Sequence, residues 1–195
     1  MNVPGSEAFR TFLRSAPVFG GLEGRSLENV RAMLKPLQLP AGSVIFSDGE
    51  LGRTMYLLAN GEVEVRGRSA SGRHVPLVRL GPGECFGEMA LVELQPRSAT
   101  VVATRKSLLY SLNNLDLYRL FQNDNYAYVI VLQNICRLLS RRLRKADGRI
   151  CDFLDPRGRE ALEAAAAAAE KEDRQAVRSK GVKVKVRAKA GGGGR

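Results

Sequence analysis

The chain has 195 residues, 44% of them hydrophobic, and a net charge of +11, enough for one domain with its own core and some additional segments. Its longest apolar run, 126–132, has seven residues, far short of the ~20 that span a bilayer, and the N-terminus lacks the basic-then-apolar pattern of a secretory signal. Three irregularly spaced cysteines, Cys85, Cys136 and Cys151, fit the reduced thiols of a cytoplasmic protein and not a disulfide framework.

Along the chain, Ser6 is placed to cap a short helix with Phe9, Phe12 and Leu13 on one side. Ser26 is placed to cap a second, with Leu27, Val30 and Leu34 at i, i+3 and i+7, ending near Lys35-Pro36. From 37 to about 112 the pattern changes to short apolar runs, and strands are expected over 44–46, 55–59, 62–65, 75–80, 99–103 and 108–112. Ala41-Gly42, Asp48-Gly49, Asn60-Gly61 and Gly81-Pro82-Gly83 mark turns, and Asn-Gly favours a tight hairpin. Many short strands with frequent turns indicate a β-roll or jelly roll. The fold class is therefore mainly β with flanking helices (α+β). Cys85, where a strand should enter the next segment, suits a small buried apolar position.

Helix returns over 115–121 and again over 126–146. In the longer helix Val129, Leu132, Cys136, Leu139 and Leu143 follow heptad spacing, and Tyr128, Val131, Ile135 and Leu138 form a second line beside them. The combined stripe is wider than packing on one sheet requires. One edge covers the roll; the other either meets a partner helix in a homodimer or is buried within one monomer. The folded domain is expected over 1–148, with the roll over 37–112 and the C-terminal helices over 115–146. Residues 149–195 are expected to form an alanine-rich helix over 161–178 and then a basic, glycine-ended, disordered tail. Residues 1–140 carry 15 basic and 12 acidic side chains, and 141–195 carry 16 and 8. The positive charge is thus a property of the tail.

The chemistry concentrates in 85–100. Gly87 allows close backbone approach, and the helical turn after it offers free N–H groups that favour an anion. Arg97, following Pro96 and preceding the small Ser98 and Ala99, presents a planar fork of donors for phosphate oxygens. Glu88 suits a ribose hydroxyl better than a phosphate. One phosphate, one hydroxyl and no second charge describe a cyclic mononucleotide.

Phe86-Gly87-Glu88-Met89-Ala90-Leu91 followed by Pro96-Arg97-Ser98-Ala99-Thr100 resembles the phosphate-binding cassette of cyclic-nucleotide-binding domains. These include the catabolite activator proteins, the regulatory subunits of cAMP-dependent protein kinase and cyclic-nucleotide-gated channels. The resemblance takes in 17–22, 41–46, Gly49-Glu50 and 55–65, and covers about 8–145. It implies a binding site made by Phe86, Gly87, Glu88, Met89, Ala90, Arg97, Ser98 and Ala99. In it Arg97 pairs with the cyclic phosphate, aided by backbone N–H groups near Ala90 and Ser98, and Glu88 accepts from the ribose 2′-hydroxyl. Without ligand, Arg97 and Glu88 are expected to close on each other in a salt bridge. In this family a threonine after the arginine can donate to guanine; Ser98 stands there and could serve either nucleotide, with cAMP favoured over cGMP. The base lid is expected from Leu138, Arg141 and Arg142, and movement of that helix would be the output to a separate, unidentified protein effector.

An enzyme is not expected. His74 is the lone histidine, too few for a cupin-like metal cluster, and neither an acid–base pair nor a nucleophile motif is present; no cofactor and no metal are called for. The segment beyond Gly148 lacks the apolar pattern of a helix-turn-helix, so a stand-alone receptor is expected. The alternative is a regulatory protein with a degenerate pocket whose tail, eight positive charges without an acid over 174–195, associates non-specifically with nucleic acid or an anionic membrane.

Overall fold

The computed structural model describes residues 6–155 and the isolated positions 160, 164 and 168. The chain divides into two units, Met1–Ser140 and Arg141–Arg195; the core and the candidate site belong to the first. The basic tail and most of the alanine-rich helix expected over 161–178 lie outside the described residues, although positions 164 and 168 are helical.

Helix α1, Glu7–Ser15, starts where the Ser6 hydroxyl accepts from the Phe9 N–H at 3.2 Å, and it buries Phe9 and Leu13. Helix α2, Gly24–Met33, begins earlier than the serine signal predicts. Glu23 occupies the N-cap, and Ser26 lies inside the first turn, where its hydroxyl is hydrogen-bonded to Asp124. A tertiary partner has taken the group that would have capped the helix.

Eight strands follow, β1 Lys35–Leu39, β2 Val44–Phe46, β3 Thr54–Asn60, β4 Val63–Arg68, β5 His74–Leu80, β6 Cys85–Phe86, β7 Thr100–Ala103 and β8 Ser107–Asn113. They form two four-stranded antiparallel sheets, ordered β1-β8-β3-β6 and β2-β7-β4-β5. Two strands, β1 and β6, fall outside the predicted runs, although Cys85 stands where a strand is expected to enter the next segment. In β1, Pro36 removes a backbone donor and reads as a break, yet β1 is an edge strand that pairs only with β8, where proline is tolerated. In β6 two residues pair with β3, too short a run to register as periodicity.

The Asn60-Gly61 turn is not a hairpin. Its flanking strands β3 and β4 lie in different sheets, and Gly61, at φ 95°, turns the corner between them close against the Lys106 carbonyl. The local hairpin is β4–β5, closed at Ser69 and Arg73 by a 2.8 Å backbone bond.

Phe46, Leu58, Val63, Leu80, Phe86, Val101 and Leu109 fill the space between the sheets. A larger cluster joins the helices to the outer face of the first sheet through Met55, Leu57, Cys85, Tyr110 and Leu112. Each such large side chain contributes about 1.5–3 kcal/mol when fully buried. Helix α3, Met89–Val92, is a single turn. Helix α4, Asn114–Asn123, is opened by an Asn113–Asp116 capping box.

Helix α5 runs Asn125–Leu154, eight residues beyond the expected end at 146. Gly148 does not stop it, because one glycine costs only about 1 kcal/mol relative to alanine. Within the first unit, Val131 and Ile135 are buried, with Tyr128 and Leu138 partly so, whereas Val129 and Cys136 are exposed. Among the described residues no helix is long and apolar enough to cross a membrane.

Candidate functional site

Strand β6 delivers Phe86 to the inter-sheet core and ends at Gly87, whose φ of 72° turns the chain into α3. Glu88, the N-cap of α3, is 2% exposed. After α3 an extended stretch returns to β7, and its residue 97 is fixed by a second loop, 47–52. The Arg97 N–H donates to the Glu50 carbonyl at 2.8 Å, the Gly49 N–H donates to the Arg97 carbonyl at 2.9 Å, and Leu51 bridges Pro96. The Asp48 N–H donates to the Thr100 hydroxyl at 3.0 Å. Two loops distant in sequence are thus joined around one arginine.

Arg97 is 8% exposed. Its Nη2 donates to the Thr54 carbonyl at 2.6 Å and its Nη1 to the Gly87 carbonyl at 3.1 Å. Its Cζ lies 4.0 Å from the centroid of the Phe46 ring, a cation–π contact worth about 0.5–2 kcal/mol. Phe46, Tyr56 and Phe86 form an aromatic trio with centroids 5.5–6.1 Å apart. Burial pulls the guanidinium pKa below its ordinary value, against the opposing fields of Tyr56, Glu50 and Glu88. Among the described residues, the buried Arg97 Nε has no hydrogen-bond partner. A buried donor left so costs about 1–3 kcal/mol, and an anion's oxygen is the partner a guanidinium Nε–H accommodates best.

Phe86, Gly87, Glu88, Ala90, Arg97 and Ala99 therefore gather as one buried or half-buried group, with Met89 and Ser98 exposed beside them. The expected Arg97–Glu88 salt bridge does not form among the described residues; Arg97 bonds two backbone carbonyls instead, because the strand ends bring Thr54 and Gly87 into its reach. Leu138 is half-buried on α5 and packs on the helical core; Arg141 and Arg142 lie further along that helix, in the second unit. Phe46, Gly52, Thr54 and Tyr56 were not anticipated. Gly52 carried the one available signal, a second glycine three residues after Gly49 that no turn explains. A hollow of about 310 Å³ lies elsewhere, between α1 and α2, lined by Glu7, Arg10, Arg14 and Glu28. There Arg10 already bonds Glu28 at 2.7 Å and Glu7 at 3.2 Å.

Residues 36–124 match the family model described as the cyclic nucleotide-binding domain. The chain is similar to the cyclic AMP receptor protein of Thermus thermophilus, 34% identical over 139 residues, 69% of this chain and 61% of that protein. It is also similar to the cAMP-dependent protein kinase regulatory subunit of Aspergillus fumigatus, 34% identical over 95 residues, 49% of this chain and 22% of that one. The crystal structure of the Thermus thermophilus catabolite activator protein superposes with a TM-score of 0.62 at 35% identity, covering 69% of this chain and 61% of that one. The chain thus spans about three fifths of the Thermus protein's length.

Proposed function

Residues 36–124 belong to the cyclic nucleotide-binding domain family, and from that premise we propose that the chain is a cyclic nucleotide receptor that prefers cAMP to cGMP. The observation that carries the reading is a buried guanidinium, bonded to the Gly87 carbonyl and with its Nε–H left over, beside the buried Glu88. Arg97 takes the cyclic phosphate together with backbone N–H groups near Ala90 and Ser98. Glu88 accepts from the ribose 2′-hydroxyl, while Phe86, Gly87, Met89 and Ala99 shape the surrounding cassette. The Ser98 hydroxyl could serve either base; similarity to a cyclic AMP receptor protein and to a cAMP-dependent protein kinase regulatory subunit supports adenine over guanine. Leu138, Arg141 and Arg142 serve as the lid over the base. Binding shifts α5 between free and closed positions, and the change passes to a separate protein. The exposed line through Val129 and Cys136 pairs with a second copy of the chain. Three cysteines, none of them in a disulfide, suit a reducing cytoplasm.

A cyclic nucleotide of about 22 heavy atoms, at about 0.3 kcal/mol each, binds with a micromolar Kd, weak enough to be released when the signal falls. Calorimetric titration of the full chain with cAMP, cGMP and 2′-deoxy-cAMP tests the reading. Arg97→Glu replaces attraction by repulsion at a cost of about 2–5 kcal/mol and abolishes measurable binding, with the circular dichroism spectrum unchanged. Wild-type affinity in Arg97→Glu, or full affinity for the 2′-deoxy ligand, would overturn the assigned roles.

A further inference from the structure

Most glycines of the described residues have a backbone reason to be glycine: eight of them have positive φ. Gly52 is not among these, so its conformation is open to any residue. What Gly52 lacks is space. A Cβ built on it would overlap the Arg97 guanidinium, 2.6 Å from Nη2 and closer still to Nε and Cζ. Real Cβ contacts essentially never fall below 3.0 Å, and all three nearest atoms belong to that one side chain. On Gly87 a Cβ would stand 2.7 Å from Nη1 and 3.3 Å from the Phe46 ring. Two glycines and an aromatic ring therefore border the guanidinium.

We infer that Gly52, outside the cassette, is a positioning residue for ligand binding: its missing side chain keeps the place in which the Arg97 guanidinium is held. The loop that contains it acts on Arg97 twice. Its backbone fixes the main chain of residue 97 through Gly49 and Glu50, and its glycine at 52 leaves the side chain room to reach the Thr54 and Gly87 carbonyls. The atoms that a methyl group at 52 would displace are the far end of a flexible chain. An alanine is thus tolerated by the fold while the guanidinium is expelled, although Gly52 needs no contact with ligand. The ligand-binding part of this inference rests on the cyclic nucleotide reading; the placement of Arg97 does not.

The test combines arginine Nε–H NMR, thermal melting and cAMP calorimetry on the full-length wild type, Gly52→Ala, Arg97→Ala and the double variant. Arg97→Ala identifies the buried Nε–H resonance by its loss. Gly52→Ala is expected to move that resonance toward those of exposed arginines and to weaken cAMP binding about tenfold or more. In the Arg97→Ala background, adding Gly52→Ala leaves the melting temperature where Arg97→Ala alone put it. Should Gly52→Ala unfold the protein, a folded double variant still supports the inference, whereas an unfolded one makes Gly52 a backbone requirement and overturns it. An unmoved Nε–H signal overturns it whatever happens to affinity, and so does a moved signal with wild-type affinity. A wild type that binds neither cAMP nor cGMP, with the signal still moved by Gly52→Ala, removes the proposed ligand and leaves the placement of Arg97 standing.

Discussion

Glu64 shows how a buried acid in this protein can be structural where Glu88 belongs to the candidate site. It sits on β4, 7% exposed, and accepts from Arg66 Nε at 2.7 Å and Arg79 Nε at 3.0 Å. Burial works to raise its pKa, but the hydrogen bonds and charges of the two arginines hold the carboxyl below its ordinary value. The folded state therefore favours the charged form. Its contribution is complete above the unfolded pKa of about 4.3 and is lost as pH falls through the lower folded value. Both arginines are partly in solvent, so Glu64→Gln is expected to cost only about 1 kcal/mol at neutral pH. Urea midpoints for wild type and Glu64→Gln should differ near neutrality and converge in acid. A gap that stays constant down to about pH 3 would rule this role out.

At the scale of elements, Asn134 ties α5 to the turn after α1. It is a buried amide in an apolar stripe, donating from Nδ2 to the Gly20 carbonyl at 2.8 Å and to the Val18 carbonyl at 3.3 Å, while its Oδ1 accepts from Arg137 at 2.9 Å. Asn134→Ala orphans two carbonyls and is expected to cost about 1–3 kcal/mol, read as a lower denaturant midpoint and faster amide exchange in α5. Exchange unchanged from wild type would show that the amide does not pin the helix. The Asn113 cap of α4 should contribute about 1 kcal/mol, lost in Asn113→Ala. These elements also separate what sequence could reveal from what it could not. The Ser6 cap, the strands β2 to β5, β7 and β8, and the grouping of Gly87, Glu88 and Arg97 are carried by local patterns. Pro36 in β1, the corner at Gly61, the tertiary use of Ser26 and the seat of Arg97 on Thr54 each depend on a partner tens of residues away. Composition and periodicity hold no record of such partners.

For the whole molecule, the exposed line of α5 predicts that this helix meets a second chain. Its buried edge, Val131 and Ile135, is satisfied within one copy, but Val129 is 45% exposed and Cys136 is also exposed. Val129, Leu132, Cys136 and Leu139 repeat at intervals of three and four residues, the pattern that a two-stranded seam requires. In a parallel pair each seam residue meets its own counterpart, so Cys136 would lie against the Cys136 of the second copy. Mild oxidation of a Cys151→Ser variant should then give a covalent dimer, and adding Cys136→Ser should abolish it. Val129→Asp discriminates further. At a half-exposed site on a monomer it shifts stability by no more than about 0.5 kcal/mol, whereas in a seam it sets two carboxylates face to face and removes the association. Sedimentation across a concentration series should therefore show wild type as a dimer and Val129→Asp as a folded monomer. Wild type sedimenting as a monomer throughout, with no cross-link through Cys136, would mean that the wide stripe of α5 has no second copy to meet, and that any movement of this helix must be read by a different protein.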